Sequence, residues 1–199
     1  MDSLAALLFD GFELLDVCGP LEAFGHLSES GRCRVITVAQ RAGAVASRQG
    51  PQVIADYDFA VCPPMQMLLV PGGIGTRRAV EDKSLLDFIR GRSAEAEIVM
   101  SVCTGAGVLA RAGVLDGRRA TTNKQVFDWP VSQGPRVKWV PRAHWVEDGK
   151  FVTSSGISAG IDMALSVIAG RYGREIAEAI AVAMEYEWHR DPERDPFAE

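Results

Sequence analysis

The stretch EIVMSVCTGAGVLARA, Glu97 to Ala112, decides how this chain is read. Ile98-Val99-Met100-Ser101-Val102 is a short, nearly continuous apolar run, the pattern of a strand buried on both faces. Cys103-Thr104-Gly105 turns the chain, and the small residues Ala106–Ala112 predict a helix. A cysteine at such a junction faces the unpaired N–H groups and partial positive charge of a helix N-terminus, and both favour a thiolate. Cysteine also packs as a small hydrophobe, so a buried structural role competes with a nucleophilic one. Position favours the nucleophile: open α/β sheets bind ligands beyond the carboxyl ends of their strands, as in a nucleophile elbow with cysteine replacing serine. The same residues contain Gly105-x-Gly107-x-x-Ala110, the form of a dinucleotide fingerprint. That reading fails because no acidic residue ends a following strand about 20 residues on.

Working outward, Leu4–Phe9, Arg34–Ala39 and Met67–Val70 read as further buried strands. Ala44–Ser47 and Gln52–Ala55, separated by Gln49-Gly50-Pro51, read as a peripheral hairpin. Helices are predicted from Pro20 through Leu27, over Val80–Arg90, from a cap at Ser158 through Ala169, and from Arg174 to Trp188. Phe127–Val131 reads as a short helix. Val137–Val140, His144–Val146 and Phe151–Ser154 read as strands, with Glu147-Asp148-Gly149-Lys150 a hairpin turn. The alternation of strands and helices implies an α/β fold: a mostly parallel central sheet between two helical layers. No repeat or linker interrupts it, so residues 1–199 are expected to form one domain. The polar, proline-broken tail at about 190–199 is expected to fray.

Composition narrows the function classes. The 199 residues are 47% hydrophobic and carry a formal net charge of −5. No basic stripe is present, which argues against a nucleic-acid partner, and Arg77-Arg78 and Arg118-Arg119 read as solvated turns. The start, Met1-Asp2-Ser3 and a short apolar run, predicts neither a leader nor a membrane span. Cys18, Cys33, Cys62 and Cys103 are widely spaced and are expected to be free thiols in a reducing, cytoplasmic setting. His26, His144 and His189 are far apart, so no metal site is expected.

Two other groups could serve Cys103. Gly72-Gly73-Ile74-Gly75 follows a buried strand and reads either as a tight turn or as a source of backbone N–H; Gly73 and Thr104 N–H could then bind a developing anion together. Asp16 lies among Leu14, Leu15, Val17 and Cys18, and is either the N-cap of the helix at Pro20 or a buried acid with a raised pKa. Asp56, Asp58 and Asp162 read as turn, capping or solvated residues. Glu185, Glu187 and His189 read as a solvated face or an interface on the last helix.

The motifs LLDVCGPLEAF (14–24), LLVPGGIGT (68–76), SVCTGAGVLARAGVLDGRRATT (101–122) and SSGISAGIDMAL (154–165) resemble the ThiJ/PfpI superfamily across nearly the whole chain. The likeness is greatest to its isocyanide hydratase branch. It implies a three-layer fold like the class I glutamine amidotransferases and flavodoxin. It also implies Cys103 as nucleophile, Asp16 as general acid/base, the N–H groups of Gly73 and Thr104 facing substrate, and the backbone oxygen of Ile157 near the sulfur. No cofactor is implied, the substrate is a small electrophile, and a homodimer is expected, with Tyr186 and Trp188 as the sequence's own support for an interface. Two departures stand out. Protease-like members carry histidine directly after the cysteine, where this chain has Thr104. Hydratase-like sequences often read ATTHW, where this chain has Ala120-Thr121-Thr122-Asn123-Lys124.

The expected function is hydration of an isocyanide to an N-substituted formamide. The alternatives are glyoxalase- or deglycase-like action on 2-oxoaldehydes with the same thiol, and a non-catalytic redox-sensing or ligand-binding module. Related sensor domains are fused to AraC-type DNA-binding domains, for which this chain has no expected room.

Overall fold

The computed structural model describes residues 1–198. A seven-stranded sheet forms its centre. In chain order its strands are β1 (Asp2–Leu7), β2 (Cys33–Ala39), β5 (Tyr57–Asp58), β6 (Met67–Val70), β7 (Ile98–Ser101), β10 (Trp145–Asp148) and β11 (Phe151–Ser154). In space they run β10-β11-β7-β6-β1-β2-β5. All neighbours are parallel except the β10–β11 hairpin, whose turn Gly149 has φ 61°. β3 (Gly43–Ala46) and β4 (Gln52–Ala55) form the expected separate hairpin, and β8 (Arg119–Ala120) pairs with β9 (Lys138–Trp139) in a small parallel sheet.

Strand alternation divides the core. Leu4, Ala6, Leu8, Met67 and Leu69 face one layer; Ala5, Leu7, Leu68 and Val70 face the other. The first layer holds α1 (Leu14–Glu29), α6 (Ala159–Tyr172) and α7 (Arg174–Ala183). The second holds α3 (Lys83–Glu95) and α4 (Gly105–Arg111), with α2 (Thr76–Ala79) and α5 (Asp128–Gln133) beside α4. With both faces covered, β6 is wholly apolar and buried throughout, which is why it reads as a continuous run.

Three boundaries differ from expectation. α1 begins at Leu14, so Pro20 lies inside the helix in its second turn. Proline there removes only the N–H that would have bonded Asp16 C=O, and the packing of Val17, Ala23, Phe24 and Leu27 outweighs that loss. The span read as one helix from Val80 divides at Asp82, whose carboxylate accepts from Ser84 and Leu85 N–H and starts α3 afresh. The last helix ends at Ala183 and not Trp188, with Glu185 at φ 48°.

The tail is also corrected: it docks. His144 and Trp145 N–H both donate to Pro192 O, at 2.7 and 3.3 Å, and Asp195 N–H donates to Arg142 O at 3.1 Å. Asp195 is buried, its carboxylate 3.6 Å from His144 Nδ1 and 3.9 Å from Lys124 Nζ. Backbone hydrogen bonds and a buried charge cluster hold a segment that composition alone marks as loose.

Candidate active site

Strands β6 and β1 lie side by side, and the chain leaves them in opposite directions across the sheet. The loops at their carboxyl ends and at that of β7 therefore converge on one crevice, the usual ligand position in such sheets. Cys103 sits there with φ 55°, a left-handed conformation uncommon outside glycine. Its backbone is pinned from both sides: its N–H donates to Ser155 O at 2.9 Å, and its carbonyl accepts from Thr122 Oγ1 at 2.8 Å. Ile157, on the facing loop, is also left-handed, with φ 49°. Gly105 opens α4 because a Cβ there would lie 2.3 Å from Val70 O.

Asp16 is fully buried and resolves the choice left open by sequence. It does not cap α1; the cap residue is Glu13. Asp16 Oδ2 accepts from Gly72 N–H at 2.8 Å, and Oδ1 has no hydrogen-bond partner. Burial first, and then the charge of Glu13, push its pKa to about 8 against the Gly72 bond. Glu13 itself is buried, bonded by Gln49 Nε2 and 3.4 Å from Arg48.

The thiol of Cys103 is pushed up to about 12, by burial first and then by the charge of Asp16. Three donors oppose that: the Thr104 backbone, Asn123 Nδ2 at 3.2 Å, and the Ile157 backbone. The Ile157 backbone thus lies beside the sulfur and lowers the thiol pKa. Gly73 is held by the hydroxyls of Thr104 and Thr76. Its N–H donates to Thr104 Oγ1 at 3.0 Å, and Thr76 Oγ1 donates to Gly73 O at 2.7 Å. The Thr104 hydroxyl thus ties the glycine loop to the start of α4.

Asn123, in sequence only a departure from a motif, touches the sulfur. Arg77, expected in a solvated turn, is half-buried, with its guanidinium 3.8 Å over the Trp129 ring and Nη1 3.0 Å from Thr76 Oγ1. Asp162 is buried rather than solvated: it accepts from Tyr186 OH at 3.1 Å and His189 N–H at 2.9 Å, and Oδ2 lies 2.9 Å from His144 Nε2. Trp188 Nε1 donates to Asp162 O at 3.2 Å, so Tyr186 and Trp188, both partly exposed, are anchored on Asp162 within the chain. All four cysteines are free. Among the described residues no group of three or more His, Cys, Asp or Glu is arranged to hold a metal ion, and no helix is long and apolar enough to cross a membrane.

The DJ-1/PfpI family model matches residues 2–170. The chain belongs to the DJ-1/PfpI family. It is 36% identical over 181 residues to an isonitrile hydratase of Pseudomonas putida, covering 90% of this chain and 76% of that one. It is 30% identical over 188 residues to the HTH-type transcriptional regulator GbdR of Pseudomonas aeruginosa, but spans only 51% of that relative's length. A crystal structure of a ThiJ/PfpI family protein from Pseudomonas syringae superposes with a TM-score of 0.85 at 31% identity, over 94% of this chain and 75% of that one. The relatives of this chain therefore include an enzyme and a longer regulator.

Proposed function

We propose that this DJ-1/PfpI protein hydrates an isocyanide to an N-substituted formamide, with Cys103 as nucleophile and Asp16 as the single proton shuttle. The carrying observation is a fully buried Asp16 carboxyl with a raised pKa and no hydrogen-bond partner on Oδ1, electrostatically coupled to a buried thiol. An isocyanide carbon must accept both a nucleophile and a proton. Sulfur forms the C–S bond, Asp16 delivers its proton to the same carbon, and the S–H proton replaces it on Asp16. The result is a thioimidate. Water then adds to that carbon while Asp16 carries a proton to nitrogen. When the C–S bond breaks, sulfur recovers a proton and the formamide leaves. Protons and electrons balance without an external reductant or oxidant, and one carboxyl serves every transfer because its pKa lies near neutrality.

The similarity to an isonitrile hydratase over most of both chains supports this reaction class. Thr104 in place of histidine after the cysteine argues against a Cys-His peptidase dyad. A competing reading, action on 2-oxoaldehydes by the same thiol, is separated by assaying an alkyl isocyanide and methylglyoxal in parallel. The isocyanide is expected to be consumed with formamide release, Cys103→Ala to abolish that release, and Asp16→Asn to lower kcat about 10²–10⁴-fold. Consumption of methylglyoxal alone would remove the hydratase reading, and turnover of neither would favour the ligand-binding module.

A further inference from the structure

We infer that Asn123 is a catalytic hydrogen-bond donor of this site, fixed by its own turn so that its amide N–H holds the sulfur of Cys103 as an acceptor. The inference rests on Cys103 being the reactive group. Nδ2 is 3.2 Å from Sγ. The orientation of the amide is determined by its other end: Oδ1 accepts from Gln125 N–H at 2.9 Å and Val126 N–H at 3.2 Å. An oxygen bonded to two donors cannot exchange places with the NH₂ group, so a donor, not an acceptor, faces the sulfur.

The residues on either side fix the segment. Thr122 Oγ1 donates to Cys103 O at 2.8 Å. Lys124 Nζ donates to Thr121 Oγ1 and to Ala143 O, both at 2.7 Å. Gly156 leaves the space the amide occupies, since a Cβ there would lie 2.6 Å from Nδ2.

The chemistry follows from the residue type. An amide N–H stabilises negative charge as it grows on sulfur, and it exchanges no proton over the working pH range. A histidine at this position could both donate and titrate. With asparagine the two tasks are divided: Asn123 stabilises sulfur, and proton transfer is left to Asp16. The direction of its influence on the thiol agrees, since Asn123 lowers the Cys103 pKa against burial and Asp16.

The test is the pH dependence of iodoacetamide alkylation, read at the Cys103 peptide by mass spectrometry so that the other three thiols do not interfere. Asn123→Asp retains an oxygen for the turn and replaces the donor with an acceptor. Asn123→Ser also retains a turn oxygen, adds no charge, and is too short to reach the sulfur. Both curves are expected to move to higher pH by at least half a unit relative to wild type, with unchanged thermal unfolding in Asn123→Ser. Should Asn123→Asp not fold, Asn123→Ser alone decides. An Asn123→Ser curve lying on that of wild type, or displaced to lower pH, would overturn the assignment. Isocyanide turnover plays no part in this readout, so failure of the hydratase reading leaves the result interpretable.

Discussion

At the scale of single residues, Asp16 ties both stability and rate to pH. It is buried without a cation and its pKa rises from 3.8 to about 8. In the unfolded chain it releases its proton near pH 4, whereas in the folded protein it does so near 8. Its contribution to stability is therefore complete below pH 4 and is lost as pH rises through 8, at up to about 1.4 kcal/mol per unit. Asparagine cannot ionise and retains an oxygen for Gly72 N–H. The stability of Asp16→Asn relative to wild type, from urea melts, is expected to increase steadily between pH 4 and 8; a constant difference would mean that Asp16 ionises normally. The rate follows the same proton. The proposed acid works only when protonated, so kcat/KM for an isocyanide is expected to bend downward above about pH 8. A bend near pH 4 instead would identify an ordinary, solvated carboxylate.

At the scale of elements, the elbow depends on close approach of backbone to backbone. Gly105 starts α4 where its missing Cβ would meet Val70 O at 2.3 Å and Pro71 O at 2.8 Å. Neither carbonyl can yield without moving the end of β6. Gly105→Ala is expected to cost the upper end of the roughly 1–3 kcal/mol typical of overpacking, read as a lower urea midpoint. A neutral result would mean that β6 and α4 can separate. The docked tail makes a second prediction. Asp195 lies 3.9 Å from the buried ammonium of Lys124, whose pKa burial lowers to about 8 while Asp195 raises it. Asp195→Ala removes that counter-charge beside the turn that carries Asn123. We expect a loss of about 1–3 kcal/mol in urea melts. A loss below about 0.5 kcal/mol would return the tail to the frayed state its composition suggests.

At the scale of the whole molecule, what the sequence revealed and what it hid have the same physical origin. Strands such as Met67–Val70 and the run at Ile98–Val102 were legible because a sheet covered on both faces demands unbroken apolar segments. The elbow was legible because strand, cysteine and glycines are contiguous. Asp16 was half legible: its apolar neighbours signalled burial, but Pro20 drew the helix start to the wrong turn. Asn123, Arg77 and Asp162 were hidden because each acquires its meaning from a residue distant in sequence: Cys103, Trp129 and His144 respectively. The tail was hidden for the same reason, since its partners Arg142, His144 and Lys124 come from a different part of the chain. Local pattern reports which side chains are buried; it does not report which polar group meets which.

The central claim is that an isocyanide carbon becomes bonded to Cys103. It is tested most directly by acid-quenching the protein during turnover of an excess of an aryl isocyanide and weighing the Cys103 peptide. Addition across the isocyanide carbon has no leaving group. The account therefore predicts a peptide heavier by one whole isocyanide molecule, and neither adduct nor formamide with Cys103→Ala. Formamide released at an equal rate by wild type and Cys103→Ala, with the wild-type peptide unchanged in mass, would contradict it.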